Sequence, residues 1–263
     1  MTAKQEPTMI VKPDGAGPGR RAVPAEVPVA LTYNGVSHVV MMATPHDIED
    51  FAVGFSVTEG IVEGRAEIGE LEVREVEQGL LVWMQIPEAR FQALLEGRRN
   101  LVGQTGCGLC GVEGIEQAVR SYPKIAVRPR CGAAELFQAL AGLRAHQPLN
   151  AETGAVHAAG FADWSGAFRS VREDVGRHNA LDKLIGGLLR EGSDLASGFV
   201  VLSSRCSFEL VQKVLAVGIP MLVTISAPTA LAVQLARDHD LTLIALARGD
   251  SMLAFNDPFG LFS

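Results

Sequence analysis

Two cysteines in a glycine-rich segment are the residues of this chain that are best suited to covalent chemistry. Cys107 and Cys110 form a C-x-x-C motif with glycines at positions 103, 106, 108 and 111, and a predicted helix follows it. A thiol near a helix N-terminus has a lowered pKa, because the helix dipole stabilises the thiolate, and it is then a better nucleophile at neutral pH. The motif therefore predicts a nucleophilic thiol, and the glycines give it the mobility to meet two different partners.

Two other interpretations of the C-x-x-C motif stay open from residue chemistry alone. One is a structural zinc site, which needs four ligands. The other thiols, Cys131 and Cys206, stand alone in the sequence, and His157 could complete a set. The second is a thioredoxin-like redox pair, although the motif does not directly follow the first strand of a β-α-β unit. Cys206 by itself is interpreted as a small apolar residue of the core.

A second group of candidate residues lies in polar loops that follow predicted buried strands. From about residue 155 onward, apolar strands alternate with amphipathic helices, a pattern that predicts a mostly parallel sheet with helices on both faces. The loops that leave the carboxyl ends of such strands lie along one edge, where open α/β folds bind ligands. Arginines in these loops would gather near helix N-termini, where they suit phosphate oxygens. They are Arg172, Arg177, Arg205 and Arg248.

An alternative is that these arginines only form surface ion pairs. The acids available for such pairs are Glu173, Asp174, Glu209 and Asp250. Two histidines belong to the same region. His178 begins a predicted helix beside Arg177, where the helix dipole disfavours a cation unless it faces an anion, so we interpret His178 as a ligand-binding residue. His157 lies in a run of small residues, which suits either the close approach of a ligand or a hydrogen-bonded structural role.

The N-terminal part of the chain has a different pattern. Residues 1–28 contain five of the 13 prolines and show no amphipathic periodicity. Residues 1–26 are therefore predicted to form a flexible tail. A hairpin is predicted over 27–42 around Asn34-Gly35, followed by a helix with Thr44 as its N-cap and Pro45 as its first residue. Strands over 71–76 and 80–86 and a helix near 88–97 complete a smaller α+β region over 27–100, which precedes an α/β domain over 101–263.

Composition and charge exclude several classes of protein. The chain has 263 residues, 48% of them hydrophobic, which is enough apolar material for a well-buried core. Its net charge is −7, with +2 on residues 1–21 and −9 on the rest, so broad binding to nucleic acid is not expected. The N-terminus lacks the apolar run of a signal peptide, and the uncharged stretch 214–236 is broken by a glycine and two prolines. We therefore expect a cytoplasmic protein with reduced thiols and no membrane insertion.

Together, the motifs resemble those of the FdhD family, the sulfur carriers that formate dehydrogenase maturation requires. The resemblance covers about residues 27–250. Its most specific motif is R-E-D-V-G-R-H-N-A-L-D-K at 172–183. The other segments are T-E-G-I at 58–61, C-G-L-C-G at 107–111, T-G-A-V-H-A-A at 153–159, residues 203–213 and S-A-P at 226–228.

The resemblance implies that the protein is a sulfurtransferase. A cysteine desulfurase would load a persulfide onto Cys107, with Cys110 as the second cysteine of the catalytic motif. The sulfur would pass to a bis-molybdopterin guanine dinucleotide cofactor, which carries molybdenum or tungsten, before its insertion into formate dehydrogenase. The resemblance also implies a cytidine-deaminase-like three-layer α/β fold and a homodimer. The rival function is a non-catalytic cofactor-binding chaperone in which the C-x-x-C motif holds a structural zinc.

The expected cofactor-binding residues come partly from the resemblance and partly from the predicted sheet edge. The family's cofactor-binding stretch maps onto Leu246, Ala247, Arg248, Gly249, Asp250 and Ser251. The sheet edge adds Arg177, His178, Arg205 and Ser226, and His157 is added from its run of small residues. We expect a GDP-like nucleotide to bind there in vitro, and we expect no metal ligands among these residues. The chain departs from the family at Leu246, where an aromatic residue is common, and at Gly154-Ala155, where two glycines are common.

Overall fold

The computed structural model describes residues 2–102 and 121–262. Within these residues the chain forms twelve strands in three sheets, seven α-helices and three short 3-10 helices. The strands are β1 (Ala3–Lys12), β2 (Gly15–Pro24), β3 (Val27–Tyr33), β4 (Val36–Ala43), β5 (Leu71–Val76), β6 (Gly79–Met84), β7 (His157–Asp163), β8 (Phe168–Asp174), β9 (Gly198–Leu202), β10 (Met221–Thr224), β11 (Thr242–Ala245) and β12 (Leu253–Asn256). The helices are α1 (Ile48–Thr58), α2 (Glu88–Val102), α3 (Ala133–Leu143), α4 (Pro148–Thr153), α5 (Arg177–Arg190), α6 (Phe208–Ala216) and α7 (Ala230–Asp238). The 3-10 helices are Arg65–Glu67, Arg144–His146 and Leu195–Ser197.

A six-stranded sheet forms the centre of the C-terminal part, in the order β12-β11-β10-β9-β7-β8. Helices α5, α6 and α7 cover one face through buried apolar residues such as Leu184, Val211 and Leu235. Helix α3 covers the other face through Leu136 and Leu143. The predicted α/β layering, with helices on both faces of a buried sheet, is confirmed.

The expectation of a mostly parallel sheet is wrong outside the sheet centre. Strands β9, β10 and β11 are parallel, whereas β7 is antiparallel to both β8 and β9, and β12 is antiparallel to β11. Parallel neighbours need a crossover of roughly a dozen residues or more. Only four residues separate β7 from β8, and seven separate β11 from β12, so both connections can join antiparallel strands only.

A four-stranded sheet, in the order β4-β3-β6-β5, forms the core of the N-terminal part with α1 against one face. The predicted hairpin is confirmed as β3 and β4. Its turn residues Asn34 and Gly35 have φ values of 47° and 87°, the left-handed conformation that a two-residue type I′ turn requires. The inward face of this sheet and α1 share one apolar cluster that includes Leu31, Phe51 and Val82.

Helix α1 begins later than the sequence predicts. It starts at Ile48, after Asp47 in the left-handed conformation, so Thr44 is not its N-cap. Thr44 is fully buried and contacts the C-terminal part instead. Its N–H donates to Asp174 Oδ2 at 2.9 Å, and its carbonyl oxygen accepts from Lys183 Nζ at 2.8 Å. These tertiary hydrogen bonds take the place of the predicted cap.

The N-terminal segment differs from the flexible tail that the sequence predicts. Residues 3–24 pair as the antiparallel hairpin β1–β2, with most side chains exposed. Pro13 and Asp14 form its turn and Gly15 follows. This combination of residues favours turns, but it produces no amphipathic periodicity. The base of the hairpin is fixed by Arg21, whose Nη2 donates to the Thr153 carbonyl oxygen at 2.9 Å.

Helices α1 and α5 pack against each other between the two larger sheets. A Cβ atom at Gly54 would overlap the carbonyl oxygen of Asp182, and a Cβ atom at Gly186 would overlap that of Asp50. Glycine at both positions therefore permits a backbone spacing that any side chain would prevent.

Buried ion pairs add polar links across the same region. Lys183 on α5 is inaccessible to solvent, and its Nζ lies 2.7 Å from Asp174 Oδ2. Lys213 on α6 lies 2.7 Å from Glu59 Oε1 and 3.0 Å from Asp182 Oδ2. Such pairs are tolerated because each charge is matched and hydrogen-bonded, whereas removal of one partner leaves an uncompensated buried charge. The N-terminal and C-terminal parts are therefore joined by polar as well as apolar contacts.

The uncharged stretch 214–236 contains the end of α6, strand β10 and most of α7. This arrangement confirms the predicted strand, turn and helix. None of the described helices is both long enough and apolar enough to cross a bilayer.

Candidate functional site

The predicted polar loops lie along one edge of the six-stranded sheet. Strands β9, β10 and β11 are parallel, and β8 points the same way because β8 and β9 are both antiparallel to β7. Strand β7 runs the opposite way and begins at this edge with His157, which pairs with Asp174. The strand-end edge is defined here as His157 and the loops 175–179, 203–207, 226–229 and 246–251. Its candidate ligand-binding residues are His157, Arg177, His178, Arg205, Ser226 and Arg248.

Hydrogen bonds connect the neighbouring loops of the strand-end edge. His178 Nε2 lies 3.4 Å from Ser207 Oγ, which links the first loop to the second. Backbone N–H to carbonyl bonds make the further links, from Cys206 to Ala227 at 3.2 Å and from Leu246 to Ser226 at 3.3 Å. The four loops therefore form one continuous surface, as the strand-end prediction requires.

The strand-end edge has an excess of positive charge. Burial lowers the pKa of His157, and Arg177 and Arg205 lower it further, against the smaller opposing effect of Asp174. Burial and the charge of Arg177 also lower the pKa of His178. Arg177 Nε is buried without a hydrogen-bond partner among the described residues. Both imidazoles are therefore mainly neutral at pH 7 in the free protein, and an anion would be favoured beside them.

The alternative that the arginines pair with acids holds for Arg172. This residue lies within β8, and its Nε and Nη2 are 3.0 and 2.9 Å from Asp50 Oδ2 on α1. Its predicted place at the edge is wrong, because the strand continues for two residues beyond it and its side chain contacts α1. The other three arginines, Arg177, Arg205 and Arg248, form no ion pair within residues 2–102 and 121–262. Their charge is thus available to a ligand.

Residues 246–251 form a turn that leaves β11 at the strand-end edge. Leu246 has a φ of 51°, a conformation that is uncommon for residues with a Cβ atom. The Arg248 N–H donates to the Ser251 carbonyl oxygen at 2.8 Å and closes the turn, while Ala247 is buried beneath it. Its exposed residues are Arg248, Gly249, Asp250 and Ser251. The turn therefore presents Arg248 beside the Ser226 loop.

Asp174 holds part of this site in place, although the sequence suggests it only as a possible ion-pair partner of an arginine. The carboxylate is fully buried, and its Oδ1 accepts the Gly176 N–H at 2.8 Å and Asn179 Nδ2 at 3.0 Å. These bonds and the Lys183 ion pair fix the loop that leads into Arg177. The available signal is the polar character of Asn179 and Lys183 on the otherwise apolar buried side of α5.

Comparison with protein-family models matches residues 24–261 to the FdhD/NarQ family. The chain belongs to the FdhD/NarQ family. The match includes all of the segments on which the resemblance rests, and the resemblance is thereby confirmed.

Relatives in the FdhD/NarQ family align with most of the chain. The sulfur carrier protein FdhD of Xanthomonas campestris pv. campestris (strain B100) is 50% identical over 236 residues, which cover 90% of this chain and 84% of the relative. The protein of the same name from Agrobacterium fabrum is 49% identical over 238 residues, which cover 90% and 88%. A crystal structure described as that of a formate dehydrogenase accessory protein from Desulfotalea psychrophila has a TM-score of 0.77 and 24% identity, and covers 98% of this chain and 99% of that chain. This last likeness shows a shared fold.

The motif cysteines Cys107 and Cys110 lie outside the described residues, although they fall within the FdhD/NarQ match. Cys206 lies in the apolar core, where burial raises its pKa to about 12, which confirms its interpretation as a small core residue. Cys131 is half-buried, and burial together with Glu135 raises its pKa to about 11. Neither of these two thiols is ionised at neutral pH. Across residues 2–102 and 121–262, no three His, Cys, Asp or Glu side chains are grouped to hold a metal.

Proposed function

We propose that this protein is a sulfur carrier in the maturation of formate dehydrogenase. The observation that carries the proposal is about 50% identity, over 90% of the chain, to relatives named sulfur carrier protein FdhD. The cationic strand-end edge supports it, because arginines that form no ion pair with the described residues, at one edge of an acidic protein, favour an anionic substrate there.

Cys107 is the residue proposed to carry the sulfur. Its thiolate attacks the terminal sulfur of a persulfide on a cysteine desulfurase. A new S–S bond forms on Cys107 as the desulfurase S–S bond breaks, and the desulfurase cysteine leaves as a thiolate. The exchange needs no oxidant or reductant, since one persulfide replaces another. Cys107 then passes the sulfur to the cofactor substrate: the S–S bond on Cys107 breaks, Cys107 leaves as a thiolate, and the metal of the substrate supplies the two electrons that reduce the sulfane sulfur to sulfide. Cys110 serves as a second thiol of the motif.

The substrate proposed for the strand-end edge is bis-molybdopterin guanine dinucleotide with molybdenum or tungsten. Its diphosphates require cations and hydrogen-bond donors, and Arg177, Arg205 and Arg248 form no ion pair with the described residues. The buried Arg177 Nε, which has no hydrogen-bond partner in the described part of the chain, fits such an anion. Ser226 lies beside the turn at 246–251, and these residues are proposed to contact the guanosine part.

GDP is expected to bind at the strand-end edge. Arg248→Ala should weaken its affinity about tenfold, because loss of one charge-assisted hydrogen bond costs ~1.5 kcal/mol. Calorimetry should also show weaker binding as salt rises. Arg74→Ala removes a surface cation on β5, where Arg74 pairs with Glu72, and is the matched control. An unchanged affinity in Arg248→Ala would exclude Arg248 from the site.

The same titration tests the two histidines. Their pKa values are lowered in the free protein, and a bound phosphate would raise them, so binding should take up protons. GDP affinity should therefore increase as pH falls from about 8 to about 6.5, and proton uptake should appear as a dependence of the measured heat on the buffer. His178→Asn should reduce both effects. Proton release, or the same pH dependence in His178→Asn, would contradict this role.

Intact-mass measurement after incubation with a cysteine desulfurase and cysteine tests the proposed carrier. We expect the wild-type chain to gain one sulfur atom and Cys107→Ser to gain none. Cys131→Ser is the matched control, because burial raises the pKa of that thiol and makes it unreactive. A gain by Cys107→Ser that Cys110→Ser lacks would reverse the two roles. Stoichiometric zinc that survives dialysis, with both motif thiols unreactive to alkylation, would favour the rival cofactor-binding chaperone.

Further features of this proposal come from the family resemblance. They are a homodimer, contact with a cysteine desulfurase and with formate dehydrogenase, and a cytidine-deaminase-like fold for residues 101–263. The cytoplasmic location is proposed from the cysteine usage of the sequence. The division into a region over 27–100 and a domain over 101–263 rests on the sequence pattern and is kept in this proposal, whereas residues 3–24 form the hairpin β1–β2 in place of a flexible tail.

A further inference from the structure

A cavity of about 490 Å³ lies beside the strand-end edge, between the N-terminal hairpin and helices α3 and α4. Its lining includes Arg21 from β2, Arg144 and Gln147 from the segment between α3 and α4, and an apolar wall of Leu140, Leu143 and Ile225. None of the described residues that line it is acidic. Its volume lies within the range of about 300–1,000 Å³ that is typical of small-molecule sites.

Two guanidinium groups line this cavity without an acid partner. Arg21 donates from Nη2 to the Thr153 carbonyl oxygen, and neither Arg21 nor Arg144 forms an ion pair with a described residue. Both guanidinium groups line the same cavity, so an anion bound there would lie near two positive charges. Arginine forks match the oxygens of phosphate groups in both geometry and charge.

The remainder of the lining fits a flat ring with polar edges. Gln147 is only 6% exposed, and its side-chain amide makes no hydrogen bond with the described parts of the chain. The amide lines the cavity, and a ligand that supplies a donor and an acceptor would form hydrogen bonds with it there. The apolar wall of Leu140, Leu143 and Ile225 would pack against the ring itself.

We propose that this cavity is a second ligand site, which binds a nucleoside diphosphate with its phosphates on Arg21 and Arg144 and its base against Gln147. The site is a neighbour of the strand-end edge, since Ile225 directly precedes Ser226, but it uses other residues. Arg21 precedes the family match at 24–261 and belongs to the hairpin, so this site depends on the N-terminal segment of the chain. It does not depend on sulfur transfer.

Gly154 permits the position of Arg21 at this site. It has a φ of 67°, and a Cβ atom there would lie 3.1 Å from Arg21 Nη2. A side chain at this position would strain the backbone and displace the guanidinium. The glycine therefore fixes how the hairpin closes the cavity.

Calorimetry on the full chain with GDP, ADP and pyrophosphate tests this site, with Arg248→Ala as the background that weakens the strand-end edge. We expect GDP or ADP to bind in this background, and Arg144→Ala and Arg21→Ala each to weaken that binding about tenfold or more. Gln147→Met, which keeps the side-chain size, should weaken binding of the nucleotides and leave pyrophosphate unchanged. Arg74→Ala, which removes a surface cation on β5, should have no effect.

Two outcomes would overturn the proposal. Nucleotide affinity that is unchanged in both Arg144→Ala and Arg21→Ala would show that the cavity does not bind the phosphates. Equal binding of pyrophosphate and nucleotide, with no effect of Gln147→Met, would show a site for the phosphates alone and no base site. Either outcome can be distinguished from failure of the proposed nucleotide site at the strand-end edge. That site is tested separately, by the effect of Arg248→Ala alone on GDP affinity.

Discussion

Gly186→Ala is expected to destabilise the protein by ~3 kcal/mol, as overpacking of a close contact does. The new Cβ atom would overlap the Asp50 carbonyl oxygen, which belongs to the backbone of α1 and can move only with that helix. Helix α1 is itself held, because the Asp50 carboxylate pairs with Arg172 and Arg190. Alanine is the better helix former by only ~1 kcal/mol, so the steric effect dominates. Gly54→Ala, on the facing helix, should have an effect of similar size.

Gly97→Ala is the matched control for the overlap that a new Cβ atom would cause between α1 and α5. Gly97 lies inside α2, and no described atom would lie within 4 Å of a Cβ atom there. The same substitution should therefore leave stability unchanged or increase it by up to ~1 kcal/mol. Urea unfolding followed by far-UV circular dichroism measures all three variants. Equal stability of Gly186→Ala and Gly97→Ala would contradict the close packing of α1 on α5.

The strand-end edge could be predicted from the sequence because its signals are local. Short strands that each lead into a polar loop, with amphipathic helices between successive strands, are enough to place the loops of parallel strands on one side. Arg177, Arg205 and Arg248 follow directly from that rule. His157 is also brought to this edge, although for another reason: its strand is antiparallel and begins where the others end.

Strand direction and pairing at the sheet margins could not be predicted in the same way. Four of the seven residues of strand β7 are alanine or glycine and carry no periodic signal, and β12 has only four residues. The N-terminal hairpin depends on cross-strand backbone hydrogen bonds between mostly exposed residues, which leave no pattern of burial to detect. Its Pro13-Asp14-Gly15 turn was the available signal.

Long-range polar contacts are the other part that local patterns do not give. Thr44 has the neighbours of a helix N-cap, but it bonds to Asp174 and Lys183, which are more than a hundred residues away. Arg172 is predicted in a strand-end loop, but it lies within β8 and pairs with Asp50 on α1. Both choices are set by the packing of α1 against α5, which only the folded chain defines.

Loss of sulfur transfer in Cys107→Ser is expected to have the largest effect on function. The proposed persulfide has no other site among the described cysteines, since burial raises the pKa of both Cys131 and Cys206. Serine has nearly the same size as cysteine but cannot hold a sulfane sulfur. Formate dehydrogenase activity that depends on this chain should therefore fall to background, although the protein is folded and present in normal amount.

The most direct measurement is formate dehydrogenase activity in a bacterial strain whose own FdhD family member has been deleted and which expresses this chain. At matched protein levels, the wild-type chain and Cys131→Ser should restore activity, and Cys107→Ser should leave it at the level of the deletion strain. Restoration by Cys107→Ser, or no restoration by the wild-type chain, would contradict the proposal that this protein carries sulfur to formate dehydrogenase through Cys107.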